Sequence, residues 1–164
     1  MGSGKLTNIL FTIYFGALVW IILFKMQIPF SNTGQIRSVN LIPFAGSVEV
    51  NGRIYIQEIV DNVLIFIPFG VFSCMRMRNA GWLRRLTPSF LTSLALEILQ
   101  FVLAAGVTDI TDLLANTAGG LTGIFAYFFF AKVCKSKVNA VLNFIMLIGT
   151  FLMLLLMGIL ILGN

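Results

Sequence analysis

The chemistry of this chain rests on six acidic side chains and a few carboxamides in a mostly apolar background. The densest stretch is Glu97 to Gly123, EILQFVLAAGVTDITDLLANTAGGLTG. Glu97 and Gln100 are three residues apart and share a helix face, while Asp109, Asp112 and Asn116, spaced three and four, form a second stripe. A further trio, Glu58, Asp61 and Asn62, opens another apolar segment, with Asp61 and Asn62 flanking Glu58 on one face at about 100° per residue. Three kinds of chemistry fit such groups. A carboxylate deep in lipid is costly to charge, which suits a general acid or base, or a proton carrier. An arginine reaching it from a loop turns it into a fixed dipolar clamp. Several carboxylates together could hold a divalent cation through oxygen ligands, but no specific metal motif is present, and no metal site or cofactor is expected.

Much other chemistry is excluded. The chain has no histidine, which removes imidazole-based triads, His-ligated zinc and haem, and the histidine phosphatase mechanism. No P-loop, dinucleotide fingerprint or nucleophile–base pair is present. The two cysteines, Cys74 and Cys134, lie 60 positions apart without a CxxC spacing and read as reduced packing residues. The composition, 59% hydrophobic and 10% charged, departs from the roughly 45–50% and about 25% of soluble domains. A net charge of +5 in such a chain points to membrane topology rather than nucleic acid.

Five apolar segments must position the polar groups. They run over 6–24, 59–75, 86–105, 109–131 and 138–162, and each is long enough to cross a bilayer of about 30 Å. Lys5 precedes the first, and no small-x-small cleavage site follows it, so the segment reads as an anchor; Met1 to Gly4 carry no fold information. Eight of the eleven basic residues (Lys5, Arg76, Arg78, Arg84, Arg85, Lys132, Lys135, Lys137) fall on one side, and Lys25, Arg37 and Arg53 fall on the other. The positive-inside rule then predicts a cytoplasmic N-terminus and an outer C-terminus. The expected fold is an all-α polytopic bundle of five transmembrane helices, a single domain over 1–164. A long outer connection, 27–57, joins the first two helices; its Val48 to Ile56 alternate around Asn51-Gly52, a hairpin signal, and its apolar run Asn40 to Phe44 suits the lipid interface. With this orientation every carboxylate falls on the outer side, and Glu97 is expected about 12 Å deep at 1.5 Å per residue.

Each polar group also has a structural reading. Asp109 reads as an N-cap, and Asp112 as a residue favoured by the helix dipole. Glu58 reads as a solvated helix start, and Asp61 or Glu97 as the partner of an outer arginine, Arg37 or Arg53. Pro68 predicts a kink, because it cannot donate to the carbonyl of Leu64. Gly70, Gly119, Gly120 and Gly123 read first as packing residues, with Gly119-x-x-x-Gly123 a face suited to close helix contact. The short turn after the third segment makes the third and fourth antiparallel neighbours whose polar faces look at each other and at Glu58, Asp61 and Asn62.

An ordered set of motifs resembles the VanZ family: Asn40-Leu41-Ile42-Pro43-Phe44, Asp61-Asn62 through Pro68-Phe69-Gly70, Glu97-Ile98-Leu99-Gln100, and Asp109-Ile110-Thr111-Asp112 through Asn116 to Gly119-Gly120. The resemblance covers 6 to about 132. It implies a small multi-pass protein of the bacterial cytoplasmic membrane. It also implies a link to resistance against the lipoglycopeptide teicoplanin, without the altered D-Ala-D-Lac precursor pathway. Asn40, Pro43, Asn62, Pro68, Gly70, Glu97, Gln100, Asp109, Asp112, Asn116 and Gly120 fall on motif positions, and most coincide with the polar cluster.

The expected function is therefore ligand binding in an outward-facing polar cavity, with Arg37, Asn40, Glu58, Asp61, Asn62, Glu97, Gln100, Asp109, Asp112 and Asn116 as candidate lining residues. The expected partners are membrane lipid, a cell-wall precursor lipid or the drug itself, and the sequence leaves room for an oligomer. The alternatives are an intramembrane enzyme acting on an envelope lipid, with Glu97 as acid or base beside Asp109 and Asp112, a small transporter, and a structural partner protein.

Overall fold

The structure, a computed structural model, describes residues 2–24, 39–44, 56–104 and 108–163. Among these are five α-helices: α1 (Gly2–Phe24), α2 (Ile56–Arg76), α3 (Trp82–Leu103), α4 (Ile110–Cys134) and α5 (Val138–Gly163). A short 3-10 turn, Lys135–Lys137, separates α4 from α5, and Lys135 takes a positive φ of 49° there. By length and composition, four stretches are apolar enough to cross a membrane: Gly4–Leu23, Ile56–Arg76, Trp82–Leu103 and Ile110–Ile159. The last of these contains α4 and most of α5. Their outward faces carry large apolar side chains such as Leu64, Phe125, Phe144 and Phe151. This arrangement suits a lipid solvent and would be a liability in water.

The all-helical expectation holds with one addition. Val39–Asn40 (β1) and Thr108–Asp109 (β2) pair in parallel, Val39 opposite Thr108 and Asn40 opposite Asp109. This bridge ties the connection after α1 to the entry of α4. Helix boundaries also differ from the apolar runs. α1 starts at Gly2, before the apolar run, and α2 starts at Ile56. The rest of the Val48–Ile56 hairpin lies outside the described residues, as do Lys25, Arg37, Glu49 and Arg53. α3 stops at Leu103, because Ala104 adopts the left-handed conformation (φ 49°) and its amide closes back on the carbonyls of Gln100 and Phe101. Glu97 therefore sits six residues from the helix end, roughly 9 Å rather than 12 Å along the axis.

Glycine sets the bundle's tightest joint. α2 and α4 share the most extensive contact. At Gly123 a Cβ would collide with the Ile67 carbonyl and lie 3.0 Å from Gly70 Cα; at Gly119 it would meet the Val63 carbonyl and come within 2.8 Å of Phe66 Cβ. At Gly70 it would run into the Gly120 carbonyl. The two backbones touch, which only residues without side chains permit. Around this joint the core is aliphatic and aromatic, with Leu18, Phe66, Phe72 and Leu142 essentially inaccessible. Tyr14 of α1 donates its hydroxyl to the Ile65 carbonyl at 2.6 Å, one residue beyond the Leu64 carbonyl whose usual helical donor Pro68 removes.

Candidate functional site

All described carboxylates gather at one end of the bundle, and the described basic residues gather at the other. The acidic end divides into two parts that the sequence stripes do not separate.

The first part is a clasp. Asp109 is not on the helical stripe. It is extended (φ −124°) and stands as the N-cap of α4, with its Oδ1 accepting the Thr111 amide at 2.7 Å. Its Oδ2 accepts from Asn40 Nδ2 at 3.0 Å, and its own amide donates to Glu97 Oε2 at 3.0 Å. The Thr108 hydroxyl donates to the Glu97 carbonyl at 3.2 Å. Across the bridge, Asn40 Oδ1 accepts the Ile42 amide at 3.2 Å, and the Phe44 amide donates to Thr111 Oγ1 at 2.9 Å. Phe44 has a positive φ of 64°, a conformation a bulky residue adopts only when held there, and this last bond holds it. Pro43 is exposed beside it, and Leu41, Ile42 and Phe44 present apolar surface. Glu97 is 3% exposed, so its carboxylate works here as a buried acceptor that organises the α3–α4 connection.

The second part is a chamber of about 310 Å³. Its walls come from four helices: Ile21 and Ile22 of α1; Gln57, Glu58, Asp61, Asn62 and Ile65 of α2; Gln100 of α3; and Asp112 and Asn116 of α4. Glu97, Asn40 and Asp109 are not among the lining residues. Asp112 is buried and its Oδ1 accepts from Asn62 Nδ2 at 2.7 Å, a charge-assisted bond across the glycine joint. Gln100 Nε2 donates to the Ile22 carbonyl at 2.7 Å, Asn116 Nδ2 to Ser93 Oγ at 2.9 Å, and Gln57 Nε2 to Asp61 Oδ1 at 3.1 Å.

These bonds sort the chamber's polar atoms by kind. Each of the four carboxamides lining it commits its nitrogen to a protein acceptor. The Gln100 assignment follows from chemistry, because a backbone carbonyl can only accept. The carbonyl oxygens Gln100 Oε1 and Asn116 Oδ1 are buried and have no hydrogen-bond partner among the described residues. Among the described residues the walls therefore present mainly oxygens: two amide carbonyls and the carboxylates of Glu58, Asp61 and Asp112. No three Asp, Glu or Cys side chains converge as a metal-ion site among the described residues.

Sequence reasoning missed Ser93 and Ser89, both fully buried. The signal was present: Ser89, Ser93, Glu97 and Gln100 recur at spacings of four, four and three, a single polar stripe along α3. The carbonyl of Ile22 carries no side-chain signal at all.

An apolar groove of about 420 Å³ adjoins the chamber. Tyr14 and Ile21, Leu64, Ile65 and Pro68, and Met146, Thr150, Met153 and Leu156 line it, from α1, α2 and α5 respectively. Ile21, Asp61 and Ile65 border both spaces. Apolar membrane-length helices around an oxygen-lined chamber at one end define the class: a helical membrane protein with a built polar site among its helices.

Within that class the chain belongs to the VanZ/LLP1 family, which it matches over residues 11–131. It is similar to Protein VanZ of Enterococcus faecium, with 36% identity over 152 residues that cover 90% of this chain and 88% of that protein. No solved structure matches the chain.

Proposed function

We propose that the chamber holds the polar, hydrogen-donating part of an envelope amphiphile, and that the adjoining groove takes its apolar portion. The observation that carries this reading is the sorting of polar atoms. Amide nitrogens are engaged within the protein, and oxygens line the cavity. Such a wall favours ammonium and hydroxyl groups over anions. The shared border at Ile21, Asp61 and Ile65 gives one molecule access to both spaces.

The same reading includes the topology. Five helices cross the bacterial cytoplasmic membrane, since Ile110–Ile159 is broken at Lys135–Lys137 and at about 75 Å is far too long for one crossing. The basic end lies in the cytoplasm by the positive-inside rule, so the chamber belongs to the outer leaflet. Membership of the VanZ family supports a link to teicoplanin resistance, and on this reading the amphiphile is the drug, which carries an amine and a lipid tail, or the envelope lipid it engages.

The test is teicoplanin susceptibility of cells expressing the wild type, Asp61→Asn and Asp112→Asn at matched membrane levels. The expected result is loss of most protection in both variants. Full protection by both would overturn a role for the chamber.

A further inference from the structure

The basic end contains a second built cavity, of about 410 Å³, which the chamber's function does not use. Its cations come from two helix ends: Lys5 at the start of α1, and Arg76 and Arg78 at and just beyond the end of α2. Thr7 and Asn8 of α1 and Asn139 in the first turn of α5 add neutral polar groups to the wall. Among the described residues, no acidic side chain lines it.

The cations at this end are not equivalent. Arg85 is 6% exposed and is used up structurally. Its Nε donates to the Met77 carbonyl at 3.1 Å, its Nη2 to the Arg78 carbonyl at 2.6 Å, and its guanidinium lies over the Phe128 ring. Those bonds hold the connection that carries Arg78. By contrast, Lys5, Arg76 and Arg78 make no ion pair among the described residues, and Arg76 merely rests on the Phe11 ring at 5.0 Å. Asn139 adds a buried oxygen, Oδ1, without a hydrogen-bond partner among the described residues. Three cations ask for an anion, and a lone acceptor among them asks for a donor on the same molecule.

We infer that this cavity binds the headgroup of an anionic phospholipid whose phosphodiester carries a hydroxylated substituent of the glycerol type. The phosphate oxygens meet Lys5, Arg76 and Arg78, and a headgroup hydroxyl donates to Asn139 Oδ1. The position suits the lipid source over a free phosphate ester, because Lys5 and Arg76 stand where apolar helix ends, at headgroup depth. The inference does not depend on what the acidic chamber holds.

The experiment is native mass spectrometry of the detergent-purified full chain titrated with phosphatidylglycerol, phosphatidate, phosphatidylcholine or soluble glycerophosphate. The expected result is a saturable single phosphatidylglycerol adduct, with phosphatidylcholine at least about tenfold weaker and glycerophosphate weaker still. Arg76→Gln with Arg78→Gln should weaken it roughly 30-fold, at about 1 kcal/mol per cation and tenfold per 1.4 kcal/mol. Lys5→Gln, at an exposed position in the first turns of α1, gives a milder loss in the same direction and guards against misfolding of the double variant. Asn139→Leu should reduce the preference for phosphatidylglycerol over phosphatidate. Arg84→Gln with Lys137→Gln removes two exposed cations outside the cavity and should change binding less than about twofold. Equal losses from that pair and from the Arg76/Arg78 pair would overturn the site in favour of diffuse charge. Tight glycerophosphate binding would overturn the lipid assignment.

Discussion

Substitution of Gly123 by alanine tests the glycine joint on which the chamber is built. The added methyl would face the Ile67 carbonyl and Gly70 Cα at 3.0 Å, both backbone atoms of α2. No side-chain rotation relieves this contact, so the two helices must separate. Overpacking typically costs about 1–3 kcal/mol, and an obstacle made of backbone belongs at the upper end. Against this stands the gain of replacing glycine by alanine inside a helix, about 1 kcal/mol. The net loss is therefore about 2 kcal/mol, or roughly 4–8 °C in Tm for a chain of this size. Gly16→Ala in α1 is the internal control, because its Cβ meets nothing within 4 Å and only the helix gain remains. Thermal unfolding of detergent-purified variants reads both. A Tm for Gly123→Ala equal to or above that of Gly16→Ala would refute the claim that α2 and α4 meet backbone to backbone. The Asn62–Asp112 bond spans the same pair of helices, so the wedge should also reduce function beyond what its stability loss explains.

Two further predictions follow from the hydrogen bonds. Asn62→Ala and Asp112→Ala should each destabilise, by about 1.5–3 kcal/mol for a bond to a charged group, and their double-mutant cycle in Tm should be strongly non-additive because they share that bond; additive losses would contradict it. Asp109→Ala should cost about 0.5–2 kcal/mol as a lost N-cap and should accelerate hydrogen exchange at the Thr111 amide, whereas Asp109→Asn, which keeps a cap oxygen, should restore most of both.

Regular helical spacing carried the most legible part of the architecture. Asp112, Asn116, Gly119, Gly120 and Gly123 follow one helix stripe, and all are buried. The same reasoning overreached at Asp109, because a stripe drawn backward assumes that the helix continues, and an N-cap is where it stops. Glu97 illustrates a different boundary. Its depth announced a special role, but its carboxylate accepts from a backbone amide twelve residues away, which no residue type could signal. Gln100 reaches the Ile22 carbonyl across 78 positions for the same reason. The serines of α3 were readable and easily overlooked, since a hydroxyl perturbs hydropathy far less than a carboxylate does. The β1–β2 bridge is two residues long, too short for any alternation to reveal it.

The glycine joint also makes the two flanks of the apolar groove mechanically unequal. α2 is locked to α4 by backbone contact, whereas α5 leans mainly on α1 and more lightly on α4. A guest entering between them meets one fixed wall and one that yields. On the proposed function, the groove would then act as an adjustable gauge, taking tails of different girth by displacing α5, while the chamber, framed by the rigid pair, would keep its shape. Discrimination among ligands would accordingly fall to the headgroup, and chain length or branching should alter affinity gradually.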